Sequence, residues 1–290
     1  MMASNGEKNY NFVSKQQDLA DYGTSDQPIS DAESTTVFEG MTSISAILHG
    51  MERGVCNRTI TCIYFDRERL NKKEKEYRYL QHQAQKYGFD LQLTDRAQLD
   101  SMTTGNTHGG IVALCTARAL PSLQEAISTS LPPFSQKNGF FVLLEGIEDP
   151  YNFGYTMRSL YAAGVDGVIL PPRNWMEVAG IVARSSAGAS EQLPIAIAEP
   201  SDAVKWMRDQ GYRVVCAGIR DSVSMYEANL STPILLIVGG EKRGISSAVL
   251  SQADQIVRID YGRAFQGSLS AASAATVLAF EVLRQNSKKE

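Results

Sequence analysis

The chain has 290 residues, a formal net charge of −4 and 21% charged residues. That is enough for two domains and a sizeable core, with an ordinary composition for a globular protein. Residues 1–37 carry two lysines against six acids, which leaves the rest neutral, so the total excludes a globally basic nucleic-acid binder while leaving room for local basic patches.

Cys56, Cys62, Cys115 and Cys216 form no CxxC pair, and His49, His82 and His108 are scattered. The pattern argues against a zinc site and for a reducing compartment. No apolar run approaches membrane-spanning length, and the N-terminus lacks a signal-peptide apolar region. A cytoplasmic protein with no metal and no membrane partner is expected.

Residues 1–37 read as a flexible acidic tail. From Phe38 the pattern changes. Ile44, Ile47, Leu48 and Met51 have helical spacing, and Thr59–Phe65 is rich in β-formers. Arg67 to Tyr87 reads as a charged helix carrying Lys72, Lys73, Lys75 and Arg78. This cluster has the chemistry to touch a phosphate backbone, but Glu74 and Glu76 interleave it, which favours a solvated face. Asp90–Leu93 predicts a strand, residues near 96–101 a short helix, and Ile111–Leu114, after His108-Gly109-Gly110, another strand. Residues 38–118 thus form a small α/β domain, and 119–137, with Pro121, Pro132 and Pro133, a linker.

In 138–290 strands alternate with helices: strands at 139–145, 166–170, 193–198, 212–217, 233–239 and 256–260, helices at 152–163, 175–186, 201–210 and 268–285. The alternation predicts a mainly parallel sheet covered on both faces. After the first strand, Asp149-Pro150 breaks the chain, Asn152 is placed to cap a helix and Gly164 to end it. Phe153, Met157 and Leu160 form that helix's apolar stripe. Arg158, with Gly154 and Ala162 one turn to either side, is suited to lie against a close surface. The apolar run Pro233–Val238 stops at Gly239-Gly240-Glu241-Lys242-Arg243-Gly244, neither a dinucleotide fingerprint nor a P-loop. Such a turn fits a ligand loop or a tight strand–helix connection. Ser268 reads as the cap of the last helix, whose small residues suit a buried core helix or a dimer interface.

Together these segments resemble the three motifs of the SpoU (TrmH) family of RNA 2′-O-ribose methyltransferases, in the SPOUT superfamily. The first is Glu145–Arg158, through Asp149-Pro150-Tyr151-Asn152-Phe153-Gly154. The second is Ile237–Ser246, and the third runs from Ile259 through Ser268-Leu269-Ser270 to Glu281. Ser186–Pro194 resembles a further family segment, and His108–Ala113 the end of the small N-terminal domain of rRNA-modifying members.

The resemblance implies a deep trefoil knot in the C-terminal part, S-adenosylmethionine held there largely by main-chain groups, and a homodimer with its active site near the subunit interface. It implies an RNA substrate, rRNA ahead of tRNA. Asn152 and Arg158 would face the ribose and phosphate, with Arg158 activating the hydroxyl. Glu241 would orient Arg158 or the substrate, with Ser268 and Ser270 completing the catalytic set. Val238, Gly239, Gly240, Ile259, Ser268 and Leu269 would form the cofactor shell. The family usually reads Ser-Leu-Asn in the third motif, where this chain has Ser268-Leu269-Ser270. A shorter hydroxyl replaces a carboxamide. A non-catalytic RNA-binding or ribosome-assembly protein that kept the fold is therefore the alternative expectation.

Overall fold

The computed structural model describes residues 35–103, 107–172 and 178–287. The expected tail to residue 34, and the first three residues of the helix expected at 175–186, lie outside them.

The first domain begins with β1 (Thr36–Glu39) and α1 (Gly40–Glu52), followed by β2 (Ile60–Asp66), α2 (Glu74–Tyr87) and β3 (Asp90–Thr94). It ends with α3 (Arg96–Met102) and β4 (Ile111–Cys115). The sheet order is β1-β4-β2-β3, with β2 and β3 parallel and the other pairs antiparallel. The expected helix from Arg67 is shorter: Arg67–Arg69 form a 3₁₀ turn capped by Asp66, and α2 starts at Glu74. β1 takes in Thr36 and Val37, so ordered structure starts before the expected end of the tail.

The stretch 119–137 is not a bare connection. It carries α4 (Leu123–Ser128), where the Ser122 hydroxyl accepts from Glu125 N at 3.1 Å. Leu123 and Ala126 are fully buried.

The second domain contains β5 (Phe140–Glu145), α5 (Pro150–Ala162), β6 (Gly167–Leu170), α6 (Ala179–Ser185), β7 (Ile195–Ile197), α7 (Pro200–Asp209) and β8 (Arg213–Ala217). It continues with β9 (Val223–Ser224), β10 (Ile234–Gly239), α8 (Ser247–Leu250), β11 (Gln255–Arg258) and α9 (Ala271–Asn286). All seven strands are parallel, in the order β7-β6-β5-β10-β8-β11-β9.

Strand alternation divides the core. Phe140, Val142 and Leu144 face a cluster with Phe153, Met157 and Leu160 of α5 and Leu278 and Val282 of α9. Phe141 and Leu143 face Leu123 of α4, Val204 and Met207 of α7 and Val249 of α8. A two-sided parallel sheet needs such continuous apolar strands. Burial pushes the Cys115 and Cys216 thiols up to about 12, which makes them packing groups rather than nucleophiles.

The two domains share a buried interface. Ala179 and Ala183 of α6 pack into the first domain's core. Arg58 Nε donates to Glu191 Oε2 at 2.8 Å, with both side chains over 90% buried. Arg118 donates to the carbonyls of Val55, Ser190 and Leu193. Burial alone would push the Glu191 carboxyl up, but the adjacent Arg58 and Arg118 outweigh it and hold it below the usual carboxylate value.

Candidate active site

The chain runs from β5 outward to β7 on one side of the sheet, crosses to β8, and returns so that β10 inserts beside β5. Gly239 is paired with Glu145 at their carboxyl ends. This switch in strand order is the crevice where open α/β sheets bind ligands.

Gly240 N donates to Glu145 O at 2.6 Å, and a Cβ on Gly240 would lie 1.9 Å from Gly146 O. Only glycine lets the two loops meet this closely. Glu145 Oε2 accepts from Ser246 N at 3.2 Å and fixes the far end of the second loop.

Asn152 does not cap α5. Asp149 is the cap: its carboxylate accepts from Asn152 N at 2.7 Å, and Pro150 takes the first helical position, where its missing N–H costs nothing. The Asn152 side chain is thereby free to reach the second motif. Its Nδ2 donates to Glu241 Oε1 at 3.3 Å, and the same oxygen accepts from Ala271 N, also at 3.3 Å. One carboxylate oxygen therefore joins the start of α5, the loop after β10 and the start of α9.

Ser268 does not cap α9 either. Ser270 does, accepting from Ser273 N at 3.2 Å. Serine and asparagine cap about equally well, so this chain's departure from the family asparagine keeps the cap. Ser268 lies exposed in the preceding loop, and Leu269 N donates to Tyr261 Oη at 3.1 Å. Among the described residues, Asp260 to Ser268 make no backbone–backbone hydrogen bond, which leaves their peptide groups open to a ligand. Val238 is buried at the end of β10, and Ile259 is partly buried just past β11.

Arg158 is exposed and makes no ion pair among the described residues. The close surface expected beside it meets Gly154 instead, where a Cβ would lie 1.9 Å from Ser185 Oγ of α6. Arg158 shares the open face of α5 with Tyr151, Tyr155 and Ala162, spaced four, three and four residues apart. By sequence Asp149 reads only as a chain break and Tyr151 only as part of the first motif, while Gly146, Tyr155 and Tyr261 carry no role of their own. The Asp-Pro pair was the available signal for the cap.

Residues 139–280 match the model of the SpoU rRNA Methylase family, and 39–121 that described as RNA 2′-O ribose methyltransferase substrate binding. A Bacillus subtilis (strain 168) protein assigned to the TrmH family of tRNA/rRNA methyltransferases is 31% identical over 205 residues, spanning 70% of this chain and 80% of the relative. The chain belongs to the SpoU (TrmH) family. The 23S rRNA (guanosine-2′-O-)-methyltransferase RlmB of Shewanella oneidensis is 28% identical over 208 residues, 70% of this chain and 81% of the relative. An AdoMet-bound rRNA methyltransferase from Sinorhizobium meliloti superposes with a TM-score of 0.69 at 20% identity, covering 86% of this chain and 87% of that one. The SpoU methyltransferase AviRb from Streptomyces viridochromogenes gives 0.68 at 21%, covering 87% and 90%. These structural matches establish that the chain shares the α/β fold of those proteins. Among the described residues, no helix of this SpoU-family chain is long and apolar enough to cross a membrane.

Proposed function

We propose that this chain transfers a methyl group from S-adenosylmethionine to a ribose 2′-hydroxyl of RNA, with rRNA as substrate ahead of tRNA. The observation that carries the reading is the Glu241 carboxylate joining all three motifs at the switch point of the sheet. The peptide groups of 260–268, which make no backbone–backbone hydrogen bond, fit a cofactor held by main-chain contacts beside the tight turn at Gly239 and Gly240. Val238, Ile259, Ser268 and Leu269 complete that shell, and the segment from β10 to α9 is the part that would be knotted. S-adenosylmethionine supplies an electrophilic sulfonium methyl when bound.

The residues have separable tasks. An arginine has a pKa above roughly 12 and is a poor general base. Arg158 instead holds a phosphate against the hydroxyl, and that phosphate takes the proton. Asn152 and Glu241 set the angle of α5 against the cofactor loops. Positioning of this kind contributes roughly 7–11 kcal/mol at its favourable limit.

The rRNA preference rests on RlmB acting on 23S rRNA and on the presence of the substrate-binding domain. The relative named for both tRNA and rRNA keeps tRNA as the second substrate. A homodimer is proposed through the open face of α5 and the adjoining α9, where Tyr151, Tyr155, Phe280 and Leu283 are all more than a third exposed. A second copy there would bring aromatic rings and a closed surface to Arg158. Cytoplasmic localisation follows from the RNA substrate and from four free cysteines that need no oxidant.

The test is incubation with methyl-labelled S-adenosylmethionine and separated rRNA and tRNA, followed by nucleoside analysis. Label in a 2′-O-methylnucleoside of rRNA is expected. Label only in tRNA reverses the substrate order. No label at any ribose, together with no cofactor binding by calorimetry, supports the non-catalytic reading.

A further inference from the structure

The first domain has its own crevice of about 350 Å³, at the carboxyl ends of the parallel pair β2 and β3. It is lined by Asp66, Glu68, Arg69, Lys72, Lys73 and Arg96. By sequence alone the Lys72 cluster is expected on a solvated helix face. The fold divides that cluster. Lys75 and Arg78 do not line the crevice, and Arg78 pairs with Glu74 at 2.6 Å. Lys72 and Lys73 instead converge with Arg69 and with Arg96 from a separate element.

The crevice is built rather than incidental. Asp66 is buried and its carboxylate is committed, accepting from Glu68 N at 3.0 Å and pairing with Arg69 Nε at 3.5 Å. Arg69 also donates to Gly109 O at 3.1 Å. Gly110 packs so tightly on it that a Cβ would lie 2.6 Å from Arg69 Cδ. Behind the turn, buried His108 accepts from Gly110 N at Nδ1, so its Nε2–H is the donor to Asp100 Oδ1 at 2.8 Å. The turn is therefore locked, and Arg69 is held in place by it.

The other cations are loosely held. Lys73 lies 3.4 Å from Glu76 and Arg96 3.6 Å from Asp100, both partly exposed pairs, and Lys72 has no ion pair among the described residues. Exposed pairs of this kind give little net stabilisation, so an anion touching several cations at once displaces them. Glu68, on the rim, opposes a dense anion such as a metal-free polyphosphate. Four cations against two carboxylates leave a net charge of +2, which two successive singly charged phosphodiesters of one backbone balance.

We propose that this crevice is a phosphate-binding subsite that grips the RNA backbone away from the methyl-transfer site. The proposal rests on the RNA reading above and adds a place and a chemistry to it. It is tested with the full chain and two matched double variants. Lys72→Ala/Arg96→Ala removes two exposed cations from the crevice. Lys75→Ala/Arg78→Ala removes two from the same domain outside it. Thermal unfolding checks that all three proteins fold alike. Affinity is read by anisotropy with a fluorescein-labelled oligouridylate and with rRNA, across a salt series.

The crevice variant is expected to bind about tenfold more weakly, with the salt slope reduced by about 0.7 per cation removed. The control pair is expected to change binding less than about twofold. Equal effects of the two pairs would overturn the subsite and leave a diffuse field. Tight binding of sodium pyrophosphate that the crevice variant loses, with RNA affinity unchanged, would reassign the crevice to a free phosphate ligand. If the wild type binds neither RNA, the functional reading fails together with the subsite. If it binds RNA and transfers methyl but ignores the crevice variant, the subsite alone fails.

Discussion

At the scale of single residues, the proposed reading gives two side chains different duties. Arg158 is exposed, shares its helix face with two tyrosines, and has no bond to any cofactor loop among the described residues. Arg158→Ala should therefore lower kcat by about 10²- to 10³-fold, the size of losing one preorganised donor. Its Kd for S-adenosylmethionine, measured by calorimetry, should stay within about twofold of wild type. Equal loss of both would move Arg158 into the cofactor shell. Glu241 holds Asn152 and Ala271 N through one oxygen, and the proposal makes it a positioning residue. Glu241→Ala removes both bonds, each worth about 1 kcal/mol, so kcat/KM should fall on the order of tenfold or more. Glu241→Gln keeps an oxygen acceptor at that position and should restore most of the loss. A glutamine variant as impaired as the alanine one would assign the charge itself a role.

At the scale of elements, the packing of α5 is the sensitive point. Gly154→Ala places a methyl group against Ser185 and should destabilise by about 1–3 kcal/mol in denaturant unfolding. Adding Ser185→Gly should recover part of this, because the two sites share one contact. Additive losses would mean that the contact is not what limits the approach of α5 to α6.

The same helix shows what the sequence carried. Its apolar stripe and its place after a buried strand were legible, because periodicity reports burial directly. Its cap was misplaced by three residues: Asn152 and Asp149 are both good caps, and the deciding fact is that Pro150 belongs at the first helical position. Gly154 announced a close approach, but spacing does not say which neighbour approaches, and α6 is brought there by the sheet. The cap of α9 was misplaced for a similar reason, since Ser268 and Ser270 are chemically identical choices. α4 had a readable signal in the Ser122-x-x-Glu125 pattern, whereas two-residue β9 exists only because β11 offers an edge. The meeting of Asn152, Glu241 and Ala271 depends on β10 inserting beside β5, which no local pattern encodes.

At the scale of the whole molecule, Glu191 ties the two domains together. It receives Arg58 directly and lies near Arg118, and its folded-state pKa is held below the ordinary 4.5. A depressed carboxylate stabilises the fold fully above its unfolded pKa, and that contribution is lost as pH falls through the folded value. Wild-type unfolding free energy should therefore decline as pH drops below about 4.5, and Glu191→Gln should show a shallower decline. At neutral pH, Glu191→Ala should cost about 3–5 kcal/mol, because it strands buried guanidinium charge. Identical pH profiles for wild type and Glu191→Gln would show that other carboxylates dominate acid unfolding.

Whether the three distant segments form one methyl-transfer site acting on RNA ribose is decided by a ribose-methylation map of rRNA after incubation with S-adenosylmethionine and either the wild type or Arg158→Ala. The expected result is 2′-O-methylation at a defined nucleotide with the wild type and its loss with the variant. A map unchanged by the wild type, or a mark that survives Arg158→Ala at full level, would contradict it.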